Sequence, residues 1–377
     1  MTTINGTSIG ESLDGTADGD TISGGGGSDT IYALSGDDYV TGNTDSDYID
    51  GGEGNDTLEG GFHDPSSAAE NDTLIGGEGD DSINANVGDD SIMGDQGEDW
   101  IQAGVGNDTA YGGTENDTIY GNEGDDTLYG EDGDDIVQGG PGTDFVSGGD
   151  GDDSVIGDNR SPSMTDAGDD TLMGDGGNDS LYAGAANDYL DGGTGSDVMT
   201  GHDGFDTFVA GNGDTITDFN TATGQDLHNK DQSDNDFVDL SGYYNGANLA
   251  LVNADRVAAG LTPYNNPLQW MRADQDDDGV LNTTLGGASP NFTIHNGGAA
   301  VAGSDLTWDN TNVPCFSTDT LIRTASGEVR AGDLDVGMLV VTRDAGLQPV
   351  RWIGQRRLDA NALWTTPKLR PIRICKG

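Results

Sequence analysis

Twenty aspartates share one phase in this chain, and evenly spaced carboxylates suit one kind of chemistry above all, the holding of cations. The first run is Asp20, Asp29, Asp38, Asp47 and Asp56. The second is Asp72, Asp81, Asp90, Asp99, Asp108, Asp117, Asp126, Asp135, Asp144 and Asp153. The third is Asp170, Asp179, Asp188, Asp197 and Asp206, and Glu11 falls in the same phase upstream. Steps of nine are interrupted twice, between Asp56 and Asp72 and between Asp153 and Asp170, by seven and eight extra residues. Asp side chains and backbone carbonyls are hard oxygen donors. A six-to-eight-fold shell of them suits Ca²⁺, whereas Mg²⁺ demands a strict octahedron and keeps its water. Zinc is disfavoured because the chain has only 4 His and 2 Cys.

The carboxylates need a scaffold of the same period. Two residues after each Asp stands a large apolar residue, from Ile22, Ile31 and Val40 through to Phe208, with only Ala110 small. Two residues before, Gly dominates, and Asp18, Asp45, Glu70, Glu115 and Ala186 are the exceptions. Nine residues suit a tight turn, where Gly reaches positive φ at no steric cost, and then a very short strand. The apolar residue of that strand faces a narrow core and its neighbours face water. Two units make one 18-residue coil of a parallel β solenoid. Carboxylates 18 apart then stack in columns, Asp81, Asp99, Asp117 and Asp135 on one side and Asp90, Asp108, Asp126 and Asp144 on the other. At a strand spacing of about 4.8 Å they repel one another unless a cation lies between them. One large apolar side chain per nine residues is a small core, so ion binding has to contribute folding free energy directly.

Charge sets the partners. Lys and Arg total 14 against 69 Asp and Glu, a formal net charge of −55 in 377 residues. Such a composition taken alone reads as disorder, but a disordered linker has no reason to keep an apolar residue in register from Ile22 to Phe208. Nucleic acid is excluded, since its recognition needs basic surface, and anionic membranes are excluded for the same reason. No apolar run is long enough for a membrane span. The first residues, Met1–Gly15, lack the basic and apolar regions of a classical signal peptide. Residues 315–377 carry 10 Lys and Arg against 6 acidic residues, so a domain boundary is expected near Cys315.

The units Gly24–Tyr32 (GGGGSDTIY) and Gly51–Glu59 (GGEGNDTLE) give the full nonapeptide. It resembles G-G-x-G-x-D-x-U-x, the glycine-rich repeat of the repeats-in-toxin (RTX) family, a pattern that forms a calcium-binding parallel β-helix. The resemblance implies an all-β parallel β-roll holding multiple Ca²⁺ between successive turns, with the twenty phased aspartates as metal ligands. It also implies a secreted, extracellular protein that the type I secretion machinery exports unfolded and that folds on meeting calcium outside the cell. Sites in extracellular modules bind at about 10⁻⁴–10⁻³ M.

Three domains are expected: the RTX roll over 1–209, a capping and linking region over 210–314, and a partial Hint-like β domain over 315–377. In the middle region Asp214–Asn220 and Asn235–Tyr244 alternate apolar and polar residues, as a cap over the last coil requires. A short helix is expected over about Ala247–Ala259, stopped by Gly260 and Pro263. Asp274, Asp276 and Asp278, followed by Gly279, match the start of an EF-hand-type calcium loop. The twelfth position is Leu285 rather than Glu, which leaves two readings, a further Ca²⁺ site or a solvated acidic turn. Phe292–Trp308 suggests strands around an Asn-Gly turn, with His295 as a surface residue.

The last segment resembles the start of a Hint (hedgehog/intein) domain, through Cys315-Phe316, "TLIRTASGEVRAGDL", "VGMLVVT" and "PVRWIG". The resemblance implies that Cys315 is the catalytic nucleophile of a self-cleavage at Pro314–Cys315, a role for which thiols are suited. All four histidines, His63, His202, His228 and His295, precede Cys315, and the segment reads as an incomplete Hint domain. Cys315 is therefore either that nucleophile or a small buried residue opening a β fragment. No H-E-x-x-H is present, and an enzyme acting on other molecules is not the expectation. A calcium-binding module is.

Overall fold

Each nine-residue unit folds as one turn and one short strand, and the turn follows from two backbone positions. In the unit Gly76–Asn84 these are Gly77 and Gly79, at φ +115° and +128°, where a side chain would be strained. The strand that follows, Ser82–Val87, runs through the first residue of the next such pair, Asn86 at φ +79°. In the computed structural model the described residues are 1–61, 70–158, 168–219, 236–238, 240, 244, 246–278, 280–281, 292–296, 299–304, 306, 311, 321–324, 327–330, 339–342 and 346–349.

Successive strands go alternately to two sheets. Strands Thr73–Glu78, Ser91–Gln96 and Thr109–Thr114 lie side by side in a 12-stranded sheet, and Ser82–Val87, Trp100–Val105 and Thr118–Glu123 in a 15-stranded one. Pairing is parallel with an 18-residue register: Ser91 faces Thr73 and Trp100 faces Ser82. This is the all-β parallel solenoid expected from the repeat, with about eleven turns. The core is two stacks of apolar residues, one including Ile83, Ile101 and Ile119 and the other Ile92, Ala110 and Leu128, all fully buried. Two residues after each stacked side chain stands Gly or Ala, and Ala33, Ala85, Ala103 and Ala183 are likewise fully buried.

The two interruptions do not break the ladder. Tyr48 pairs with Thr73 across the first and Phe145 with Thr171 across the second, so the strands on either side of each interruption keep the register. The segments expected to cap the roll instead continue it. Thr215–Ile216 joins the larger sheet and Phe237–Val238 the smaller, each in parallel. Strand Phe292–Asn296 then pairs in parallel with Thr215–Ile216 and in antiparallel fashion with Val280–Leu281 and Ala299–Ala300. The last pairing is the hairpin expected around Asn296-Gly297, and the backbone oxygen of His295 accepts from Phe219 N at 2.8 Å.

Contacts divide the chain into two units, Met1–Asp239 with Arg272–Asn312, and Leu240–Met271 with Val313–Gly377. The second holds α1 (Gly246–Ala258), which ends before Gly260 at φ +74°. Leu249 and Val252 of α1 are buried, Arg256 stacks 4.0 Å over the Tyr264 ring, and Tyr244 packs on Trp270 with ring centroids 4.6 Å apart. It also holds an antiparallel sheet of Leu321–Thr324, Gly327–Arg330, Leu339–Thr342 and Gly346–Pro349. A second helix, α2, spans Pro267–Asp278. Among the described residues no helix is long and apolar enough to cross a membrane.

Candidate metal centre

Parallel pairing at an 18-residue register turns the phased aspartates into two rows. One begins Asp20, Asp38, Asp56, Asp81 and the other Asp29, Asp47, Asp72, Asp90. Each carboxylate is fixed by the backbone of the neighbouring coil. Asp90 N donates to Asp108 Oδ1 at 2.8 Å and Asp108 N to Asp126 Oδ1 at 2.8 Å, and the pattern runs the length of both rows. The same residues carry the strand ladder, since Asp90 O accepts from Thr109 N at 2.9 Å. One oxygen of every carboxylate is thus built into the coil-to-coil bonding.

The other oxygen is not. Oδ2 is buried without a hydrogen-bond partner in nineteen of the twenty, from Asp29 to Asp206. The residues themselves are no more than 4 % exposed. Buried polar atoms of a native protein are ordinarily paired, so two rows of unpaired anionic oxygens need a ligand. Asp20 is the exception: its Oδ2 accepts from Thr16 N at 2.8 Å and Thr16 Oγ1 at 2.7 Å. That hydroxyl is the main reason its carboxyl lies below the usual range.

Electrostatics point the same way. Burial is the largest cause in the interior rows. It pushes Asp108 and Asp117 up to about 8, with the charges of row neighbours adding and a backbone hydrogen bond opposing. Burial and then the charge of Asp206 push Asp188 to about 10. Among the described residues the one ion pair is His202 with Asp218, at 4.0 Å, so no basic side chain relieves the rows. A bound cation would do so.

Backbone oxygens complete the donor set. A methyl group added to Gly76 would strike Asp81 Oδ2 and lie 2.8 Å from Gly94 O, and the same cradle recurs at Gly51, Gly112 and Gly121. The carboxylate oxygen and a carbonyl of the next coil therefore converge where the glycine has no side chain. Among the described residues no three His, Cys, Asp or Glu side chains gather at one point. The residues fit an ion that takes carboxylate and carbonyl oxygens together, as Ca²⁺ does. Asp29 to Asp206 of the two rows could hold it, and the ion would supply the neutralising charge.

The rows extend beyond the phase. Asp197 N donates to Asp214 Oδ1 and Asp206 N to Asp236 Oδ1, both at 3.1 Å, at separations of 17 and 30 residues. The period hides these two, although each begins the same Asp-x-apolar triplet, Asp214-Thr215-Ile216 and Asp236-Phe237-Val238. The residue before each phased Asp was also missed. In many units it is Asp or Asn, and its side chain accepts from the equivalent backbone N one coil later, as Asn107 Oδ1 does from Asp125 N at 2.9 Å. This second, exposed ladder ties the turns together from outside.

The loop expected over Asp274, Asp276 and Asp278 is helix, because α2 runs through Asp278. A helical backbone lacks the turn that lets an EF-hand loop wrap an ion, and Asp274 itself is buried. Gly6-Thr7-Ser8-Ile9-Gly10 has the letters of a G-x-S-x-G serine nucleophile, but it joins strands Thr3–Asn5 and Ser12–Thr16. The strand-to-helix elbow that exposes such a serine is not there. Cys315 lies outside the described residues.

A solenoid with two rows of unpaired carboxylates defines a calcium-binding repeat protein. The RTX calcium-binding nonapeptide repeat model matches eight segments, some of them overlapping, between residues 5 and 214, more than half of the chain, and the chain belongs to that family. The Hint domain model matches residues 314–377. No curated protein matches the chain.

Proposed function

We propose that this is a secreted calcium-binding protein whose roll folds when Ca²⁺ fills the two rows outside the cell. The phased aspartates of the described rows act as the ligands, and the type I secretion route carries the chain out unfolded. The single observation that carries this reading is the row of buried, unpaired Oδ2 atoms from Asp29 to Asp206. Without a cation those atoms oppose folding, so a calcium-poor interior keeps the chain loose and a calcium-rich exterior closes it. Far-ultraviolet circular dichroism during a calcium titration tests it. The spectrum should pass from coil to β as calcium reaches millimolar levels and return with chelator, and an unchanged spectrum would rule the reading out.

A second reading is favoured by the Hint match that begins at residue 314. Here the Cys315 thiol attacks the Pro314 carbonyl, the amide C–N bond breaks as a thioester forms and the Cys315 nitrogen takes up the proton, and water or an added thiol then takes the acyl group, freeing the roll and the 210–314 region from the segment 315–377 with its Cys315 thiol restored. Intact mass after incubation with a thiol decides it: two fragments split before Cys315 support cleavage, and a single species at full mass counts against it.

A further inference from the structure

The second interruption of the repeat carries a carboxylate outside the phase. Asp158 stands where the unbroken units have the first positive-φ residue of the turn, such as Gly77 and Gly104, but it is not itself at positive φ. It is 3 % exposed. A methyl group added to Gly77 or Gly104 would meet a carbonyl oxygen one coil earlier, that of Gly52 or Asn86. At Gly184, one coil after Asp158, the same probe meets the Asp158 side chain instead, with Oδ2 at 2.8 Å. A carboxylate here fills the room that a backbone carbonyl fills in the regular coils.

Its two oxygens have different fates. Oδ2 accepts from Ala185 N at 3.0 Å, whereas Oδ1 is buried with no hydrogen-bond partner. The adjoining residue, Gly157, forms the usual cradle: a methyl there would strike Asp170 Oδ2, itself unpaired, and lie 2.6 Å from Ala183 O. Asp144 and Asp188 flank Asp170 in the row, through Asp144 N to Asp170 Oδ1 and Asp170 N to Asp188 Oδ1, both at 2.9 Å. No basic side chain among the described residues pairs with any of them.

We propose that Asp158 adds its side-chain oxygen to the Asp144–Asp170–Asp188 stretch of the row, making a calcium site of higher charge at the second interruption, the one that fills first as calcium rises. This rests on the reading that the rows bind calcium. No three acidic side chains converge there, so the added oxygen joins row carboxylate and backbone carbonyl rather than a carboxylate cage. Calcium affinity rises with the charge of the ligand set, and Asp158 adds one buried carboxylate with an unpaired oxygen to this stretch. The regular coils, with a carbonyl in that place, are the weaker sites.

Calcium titration calorimetry on the full chain tests it, comparing wild type, Asp158→Asn and Asp132→Asn. Asn keeps an acceptor for Ala185 N and removes only the charge, and Asp132 is an exposed acidic residue outside the rows. The expected result is that Asp158→Asn loses the tightest component, by about tenfold or more, while Asp132→Asn titrates as wild type does. If the Asp158→Asn isotherm superimposes on wild type, the inference falls and the function proposed above stands. If wild type takes up no calcium, both fall. Should Asp158→Asn not reach the wild-type β signal at saturating calcium, Asp158→Ser is titrated in its place against the same two outcomes.

Discussion

The roll and the unit around α1 are held together in opposite ways. Around α1, aromatic and aliphatic side chains pack on one another, as Tyr244 does on Trp270, and Arg256 is spent on Tyr264 and on Thr262 O. In the roll each nine residues bury one large apolar side chain and one carboxylate, and the carboxylate keeps an unpaired oxygen. The first arrangement draws on side chains alone. Under the function proposed above the second needs a cation as well, so the two regions should differ in how far their stability depends on calcium.

The sharpest way to break this comparison is to remove calcium and follow hydrogen exchange by segment. Amide protection between Thr73 and Ile156 should collapse in chelator, while α1 keeps its own. Equal loss in both would erase the distinction. Next in size is the core of the calcium-loaded roll. Leu128→Ala should cost about 2–5 kcal/mol, seen as a fall in the denaturation midpoint, because Leu128 is fully buried in a stack one side chain wide. A cost near zero would mean that apolar burial contributes little beside the ions.

Proton binding sharpens the comparison further. In the metal-free roll the carboxyls of Asp81, Asp108 and Asp117 are raised from 3.8 to about 8. A raised carboxyl favours the folded state fully below its unfolded value and loses that contribution as pH climbs through the folded one. The chelated roll should therefore be more resistant to urea at pH 4 than at pH 8. With calcium present the order should reverse, since protons compete with the ion. A chelated roll that strengthens from pH 4 to 8 would contradict the assignment. The smallest effect concerns the backbone. Leu34 holds φ +85° where most units have Gly, Asn or Asp, a conformation that costs a branched side chain roughly 1 kcal/mol. Leu34→Gly should raise the melting temperature of the calcium-loaded roll slightly, and a fall would show that the Leu34 side chain does work on the surface.

Much of this was legible without coordinates. The 18-residue register, the two carboxylate rows and the apolar stacks follow from a period that does not slip within each run, because every coil meets a copy of itself and local rules add up. The element over Asp274–Asp278 was misread. Spacing of carboxylates by two suggested a loop, whereas α2 continues through them, and acidic residues at that spacing carry no signal that distinguishes the two. Asp214 and Asp236 were missed because they join the rows at separations of 17 and 30 residues.

By itself the sequence determined the repeat unit, the side of each strand that is buried, and the hard-oxygen chemistry of the rows, all of which depend on neighbours at constant spacing. Only the tertiary structure decided which carboxylate oxygen is tied to the next coil and which is left over. It alone brought Asp214 and Asp236 to the rows and buried Asp158 against Ala185 N. Those outcomes depend on which coils meet where the period is interrupted, and that is settled by contact across the coils rather than by the residues along them.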